Sequence, residues 1–333
     1  GAKTFEKEVE ISNSVLEQKG KLEYKTDYPE INKLQDLIVN TTNASATTFV
    51  DNGTSIFGFY AGYGYPQIWV RDSATMIQTG RYLFPENFFS SWIEAFYNTQ
   101  AENGSIPDYI SPYGNDKNTV ETDQEASLVH SAYLYYKMTG NTSWLEKKIK
   151  EKRIVDRMDK SLMWVLMNRY NNSYGLVTGA YTADWGDVQF EKTFGTQISE
   201  KTHWTCDIYD NSLFYQACNE LSLMYSDLEE NEKATFWTDT ARSIKENTNK
   251  HLWQQNKGYY KMHVQISPVN LDFNEDEMFP MGGNVIAIQS GLANYTQAKQ
   301  IFETAKEKKY RLIQAQLAVY SFLLILRIFL QIP

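Results

Sequence analysis

After a polar opening through Tyr28, apolar positions recur at spacings of three and four in stretch after stretch. That is the period of a helix with one buried face. Leu34, Leu37 and Ile38 begin the first stripe; Met76, Ile77, Gly80 and Leu83 form a second that stops near Pro85; Phe89, Trp92, Ile93 and Phe96 form a third. Leu128, Ala132 and Tyr135 predict a helix ending around Gly140, followed by one carrying Ile154, Met158, Leu162, Val165 and Leu166. Leu213, Ala217, Leu221 and Met224 come next, then Trp237, Ala241 and Ile244. Val285, Ile288 and Leu292 pair with Ile301, Phe302 and Ala305 beyond Gly291. Roughly nine helices result, and few stretches show the period-two alternation of half-buried strands. The expected fold is all-α, a ring of helical hairpins in which each hairpin covers the apolar faces of its neighbours.

No strict short repeat or low-complexity linker divides the chain, so the sequence predicts a polar extension over 1–28, one helical domain over 29–312 and a distinct tail over 313–333. Long connections run from Gly53 to Trp69, Asn103 to Thr122, Asn171 to Trp204 and Gln254 to Pro280. Connections of that length in a compact domain usually carry function. From Ala315 to Pro333 the tail is apolar, lacks acidic residues, shows no helical face and carries Arg327 in its middle. It is short for a membrane span, which needs about 20 apolar residues, and no span is expected. A buried terminal helix is the plain reading; a shifted reading frame from about Ala318 is the alternative.

Charge and composition narrow the chemistry. Forty-one acidic residues against 32 basic ones give a net charge of −9, which opposes a sequence-independent grip on nucleic acid. The two cysteines, Cys206 and Cys218, read as lying on one helix too far apart for a disulfide, and they cannot form a zinc cluster. The four His show no metal-binding spacing, so neither metal nor cofactor is expected. Seven Asn-x-Ser/Thr acceptors fit a secreted or periplasmic protein, although the chain opens Gly-Ala-Lys with no signal peptide. Aromatics make up 14% of the chain, and Tyr and Trp, flat faces with a hydrogen-bonding edge, suit sugar rings as well as ordinary cores.

Four segments in or beside the long connections carry candidate chemistry. Tyr65-Pro-Gln-Ile-Trp69-Val-Arg71-Asp72-Ser73 runs into a helix near Ser73, where Asp72 stands as an N-cap and Arg71 with Asp72 also forms a pair able to hold sugar hydroxyls beside Tyr65 and Trp69. Glu121-Thr122-Asp123-Gln124-Glu125 reads as a capping box from Thr122 to Glu125, with Glu121, Asp123 and the upstream Asp108 available to a pocket. Asp184-Trp185-Gly186-Asp187 places two carboxyls around an indole, where desolvation raises a carboxyl pKa as a general acid requires. His203-Trp204-Thr-Cys-Asp207-Ile-Tyr209-Asp210-Asn211 offers Trp204 and Asp207 to a pocket, with Asp210 or Asn211 as the cap. No phosphate-cradling loop, dinucleotide fingerprint or serine nucleophile elbow is present.

Trp69-Val-Arg71-Asp72-Ser73-Ala74 resembles the Trp-x-Arg-Asp-Ser-Ala segment of glucoamylase-like enzymes, within the six-hairpin, (α/α)6-toroid glycosidases and their disaccharide phosphorylase relatives. Asp184-Trp185-Gly186-Asp187 is similar to the Asp-Trp-x-Asp segment of those phosphorylases and to the Trp-Asp segment of processing α-glucosidases. Gly282-Gly283-Asn284 opens what looks like their late inward helix. The resemblance covers Phe57 to Lys309. It implies an inverting hydrolase of α-glucoside-like oligosaccharides or polysaccharides with Asp187 as acid, where the desolvation argument from the residues ranks Asp187, then Asp184. Arg71 and Asp72 would bind the sugar, with Tyr65, Trp69, Trp185 and Trp204 as walls and Asp108, Glu121, Asp123 and Asp207 lining the site.

An inverting hydrolase also needs a base carboxylate about 6.5–9.5 Å from the acid. The resemblance places that base on a Glu of the last hairpins, yet none follows Glu307. Glu121 and Asp123 are the substitutes, and truncation before the final hairpins is the other expectation. A phosphorylase, epimerase or lyase on the same scaffold, or an inactive carbohydrate-binding fragment, are the alternatives.

Overall fold

The computed structural model describes residues 26–27, 29–51, 53–62, 64–117, 122–186, 189 and 197–307. Ten helices dominate them: α1 Pro29–Ser45, α2 Val70–Gly80, α3 Glu86–Thr99, α4 Gln124–Thr139, α5 Thr142–Glu146, α6 Ile154–Asn168, α7 Ile208–Asp227, α8 Asn231–His251, α9 Met281–Gln289 and α10 Tyr295–Glu307. All but the five-residue α5 correspond to the predicted stripes. The 1–28 extension, apart from Thr26 and Asp27, and the whole 313–333 tail lie outside the described residues. No described helix is long and apolar enough to cross a membrane.

The helices form two rows. In one, α2, α4, α7 and α9 lie side by side in that order; α1, α3, α6 and α8 pack behind them, α6 against both α4 and α7. This is the alternation of a helical-hairpin toroid. It explains why the two rows read differently in sequence. The back-row helices α3 and α6 bury one face, through Phe88, Phe89, Trp92, Ile93 and Phe96 in α3 and Ile154, Met158, Leu162 and Val165 in α6. By contrast, α4 is buried around most of its circumference, including Glu125, Ser127, His130 and Ser131, and so is α7, including Asn211, Gln216 and Glu220. A single apolar stripe describes only part of such a helix.

Polar groups buried between front-row helices must find partners there. His130 on α4 meets Glu220 on α7 at 2.7 Å and Gln78 on α2 at 2.5 Å, and Gln216 reaches both His130 and Glu220. This network fixes the register of three adjacent helices, because sliding any one of them would strand buried donors and acceptors.

Short antiparallel strands decorate the helices, and the sequence pattern missed them. The stretch read as a connection from Gly53 contains strand Thr54–Phe59, which pairs with Ala46–Asp51. Its inward residues join an aromatic cluster: Phe59 lies 5.0 Å from Phe88 and 5.8 Å from Phe84, while Phe88 lies 4.6 Å from Phe84 and 5.3 Å from Phe89. Cys206 is a further correction, since it sits on strand Trp204–Asp207 and only Cys218 is helical; both are free thiols. Strand Trp204–Asp207 pairs with Gly179–Ala180 and His263–Gln265, tying the long connections together. Strand Thr54–Phe59 buries Ile56 through Phe59 consecutively, and the strands other than these two six-residue ones are two to four residues long, so neither gives periodicity a clear alternation to find.

Phe88 is fully buried at the centre of the aromatic cluster. Phe88→Ala is expected to lower unfolding stability by about 3–5 kcal/mol, read as a reduced urea midpoint at unchanged m-value.

Candidate active site

The front-row helices present their N-terminal ends to one region. Trp69 precedes α2, and Arg71 and Asp72 lie in its first turn; Asp123 precedes α4; Asp207 precedes α7; Gly282 and Gly283 open α9. Direct contacts join these ends. Arg71 Nε donates to Asp123 Oδ2 at 2.6 Å and Nη1 to the Trp185 carbonyl at 2.8 Å. The Thr122 amide donates to Asp210 at 3.3 Å, and the Thr122 hydroxyl to the Thr178 carbonyl at 2.7 Å. Helix N-termini leave backbone N–H groups unpaired and carry a partial positive charge, so carboxylates collected there are stabilised.

Asp184 shows this most directly. Its two oxygens accept from the amides of Gly282 at 2.9 Å and Gly283 at 2.8 Å, the opening residues of α9. Glycine is required at both positions for close approach. A Cβ on Gly282 would stand 2.5 Å from the Trp185 ring and 3.0 Å from the Asp184 carboxyl carbon, and one on Gly283 would strike Ile208. Asp184 itself has φ of 53°, a left-handed turn that aims the carboxylate back at the helix. Burial raises its pKa to about 6, against the lowering effect of the two amides. The raised carboxyl that the sequence anticipated beside the indole is therefore present, but both its oxygens are engaged in anchoring a helix. Asp187, the first candidate acid, and Glu121 lie outside the described residues. Trp185 and Gly186, immediately before Asp187, are held by Arg71 and by a Gly186 to Ala183 turn.

Three expected caps are corrected. Helix α2 begins at Val70, so Asp72 is its third residue and not its N-cap. The Thr122–Glu125 capping box does not form: Asp123 holds the N-cap position, Thr122 turns to Thr178, and Glu125 accepts from the Ile106 amide at 2.9 Å and pairs with Lys117 at 2.9 Å. Asp210 and Asn211, the expected caps of α7, lie inside the helix; Asp207, proposed from sequence for a pocket, caps it by accepting from the Asp210 amide at 2.7 Å. Burial raises the Asp207 pKa, while the Asp210 amide and His263 lower it. In the Thr122–Glu125 segment the side chains met longer-range partners that local spacing does not reveal.

The remaining candidates divide between wall and rim. Trp69 packs on Tyr109 with ring centres 4.8 Å apart, and Tyr65 stands 57% exposed nearby in sequence. Asp108 is buried with Lys117 at 3.8 Å. Trp204 does not offer a bare face, because the Arg169 guanidinium lies 4.7 Å over its ring. Trp185 meets Tyr209 edge-on at 6.4 Å.

Sequence reasoning missed several residues at this centre. Burial raises the pKa of the Tyr209 hydroxyl, as do Asp123, Asp210 and Asp184, while Arg71 lowers it, so Tyr209 sits among all four. It lies two residues beyond Asp207 in a segment already singled out. His263 contacts the Thr182 carbonyl and Glu275, and Glu275 also accepts from Tyr181 at 2.7 Å and Gln265 at 3.0 Å. Burial would raise the Glu275 pKa, but these hydrogen bonds hold it below the usual range. Long separation in sequence hid this brace behind the Asp184 loop. Among the described residues, no group of three His, Cys, Asp or Glu side chains is placed to hold a metal ion.

The Asp184 shift has a signed consequence. Its folded pKa lies above the unfolded value of 3.8, so its contribution to stability is fully present below about pH 4 and is lost as pH rises through about 6. Wild type is therefore expected to lose melting temperature relative to Asp184→Asn as pH is raised from 4 to 7; the opposite trend would contradict the assignment.

Comparison with known proteins places the arrangement. The rhamnosidase of Klebsiella oxytoca with rhamnose bound superposes with a TM-score of 0.62 at 13% identity, over 92% of this chain and 53% of that one. The GH78 family rhamnosidase of a Bacillus species gives 0.61 at 16% identity, over 86% of this chain and 26% of that one. The GH63 mannosylglycerate hydrolase of Thermus thermophilus in complex with Tris gives 0.55 at 11% identity, over 82% of this chain and 77% of that one. This chain thus spans about a quarter of the Bacillus enzyme and half of the Klebsiella enzyme. No curated protein sequence matches it. At these identities the superpositions establish the fold, the (α/α)6 toroid of helical hairpins expected from the sequence. The family is established by a sequence model that matches residues 65–317, most of the chain: the protein belongs to the bacterial alpha-L-rhamnosidase six-hairpin glycosidase domain family.

Proposed function

We propose that this protein is a glycoside hydrolase that removes a terminal α-linked sugar from an oligosaccharide or polysaccharide, and that the sugar is of the L-rhamnose type. The observation that carries the reading is the convergence of four helix N-termini on one carboxylate-rich region walled by Trp69, Trp185 and Tyr209. Aromatic faces for the ring and carboxylates for its hydroxyls and for proton transfer are what glycoside cleavage needs. Family membership supports hydrolysis, and the rhamnosidases among the structural relatives favour an α-L-rhamnoside over the α-glucoside read from sequence.

In this reading Asp187 protonates the leaving oxygen. Asp184 positions it: the pair of Gly282 and Gly283 amides fixes the loop at one end and Arg71 at the Trp185 carbonyl, leaving Asp187 two residues further on. Inversion also needs a carboxylate to take a proton from the attacking water. Of the two residues the sequence offers, Asp123 keeps one buried oxygen, Oδ1, without a partner among the described residues. The net negative charge suits a neutral substrate, and the Asn-x-Ser/Thr acceptors suit a secreted or periplasmic location.

The test is a panel of p-nitrophenyl α-L-rhamnoside, α-D-glucoside and α-D-mannoside assayed with and without phosphate. The rhamnoside is expected to be cleaved fastest, without phosphate dependence, and proton NMR should show the inverted anomer first. Asp187→Asn should reduce turnover by about 10²–10⁴-fold with sugar binding retained. Phosphate-dependent release would favour the phosphorylase alternative, and full activity in Asp187→Asn would refute the acid assignment.

A further inference from the structure

Two arginines approach the candidate site, and the structure treats them oppositely. Arg71 directs Nε and Nη1 at protein acceptors. Arg169, the C-cap residue of α6, does not. Among the described residues none of its guanidinium N–H groups has a hydrogen-bond acceptor, and no carboxylate stands within ion-pair distance of it. Its guanidinium lies over the Trp204 ring instead, 4.7 Å from the ring centre, and 5.7 Å from that of Trp164, whose ring also carries the Lys117 ammonium at 4.8 Å. A cation–π contact of this kind holds an arginine in place without consuming its forked N–H donors.

The surroundings place the guanidinium beside the site. The carboxylates that act on the Arg169 charge are those of Glu125, Asp210 and Asp108, two of them in the first turns of α4 and α7. Burial opposes the charge. The Arg169 nitrogens are not among the buried polar atoms without a partner, so the donors reach space that hydroxyl oxygens of a ligand can occupy. The same surroundings select the ligand. Three carboxylates against Lys117 and Arg169 leave the group with one formal negative charge, which repels an anion and accepts a neutral polyol.

We infer that Arg169, stacked on Trp204, is a sugar-binding residue whose forked donors take adjacent hydroxyls of a neutral sugar, and that it discriminates against the corresponding uronic acid. The inference rests on the carbohydrate reading of the site but requires no cleavage. Arg71 and Arg169 thereby divide the labour: one holds the loops, the other holds substrate.

The experiment is titration calorimetry of the whole protein with L-rhamnose, D-mannose, D-glucose and D-glucuronate, on wild type, Arg169→Lys and Arg169→Ala. Melting temperatures verify the fold, and the lysine variant keeps charge and stem where the alanine variant fails to fold. Wild type should bind at least one neutral sugar and should bind glucose more tightly than glucuronate. Arg169→Lys should weaken the neutral sugar by about 10–100-fold, the range of one or two charge-assisted hydrogen bonds. With a cleaved aryl glycoside the loss should fall on KM and leave kcat within about threefold. Unchanged sugar affinity in Arg169→Lys, preference for glucuronate, or no sugar binding by wild type each overturns the inference. Sugar binding that depends on Arg169 in a protein that cleaves no glycoside would instead uphold it and remove the hydrolase reading.

Discussion

The ion pair from Arg71 to Asp123, with the second bond from Arg71 to the Trp185 carbonyl, is the constraint on which the rest of the site depends. It joins three segments far apart in sequence: the first turn of α2, the start of α4 and the loop of Asp184. The Asp123 carboxylate is fully buried, so losing its arginine would leave an uncompensated charge rather than a relaxed surface pair. Because α2 and α4 are neighbours in the front row, the pair also registers their ends. The His130, Glu220, Gln78 and Gln216 network registers their middles. Fold and site are therefore held by the same helices at different depths.

A single physical device recurs along the front row. Each helix begins where the chain has just crossed from the back row, and each beginning exposes unpaired amides and a partial positive charge. Asp184 at α9, Asp207 at α7 and Asp123 at α4 occupy these ends. Asp184 and Asp207 are held there by backbone amides, and Asp123 by Arg71. Asp184 thereby fixes its loop to the opening turn of α9.

Much of this was legible from the sequence, for identifiable reasons. Back-row helices bury one face, so Phe89, Trp92, Ile93 and Phe96 announced α3 and Ile154, Met158, Leu162 and Val165 announced α6. The segments around Trp69, Asp123, Trp185 and Asp207 stood out as charged or aromatic junctions in or beside long connections, and they do meet at one end of the front row. What local spacing could not supply was the choice among partners. Glu125 has the spacing of a capping box, yet binds Ile106 and Lys117. Trp204 has the look of a sugar wall, yet carries Arg169. Arg169 belongs to no motif, and Tyr209 lies in one read only for its neighbours; the surroundings of both come from side chains distant in sequence. Short strands such as Gly179–Ala180 have no period to read.

Whether Arg71 holds the loop of Asp184 against the front-row helices is tested most directly by amide hydrogen exchange in Arg71→Met. Faster exchange is expected over residues 182–186 and at the start of α9, with α3 and α8 unchanged. Protection of 182–186 equal to that of wild type would contradict this role for Arg71.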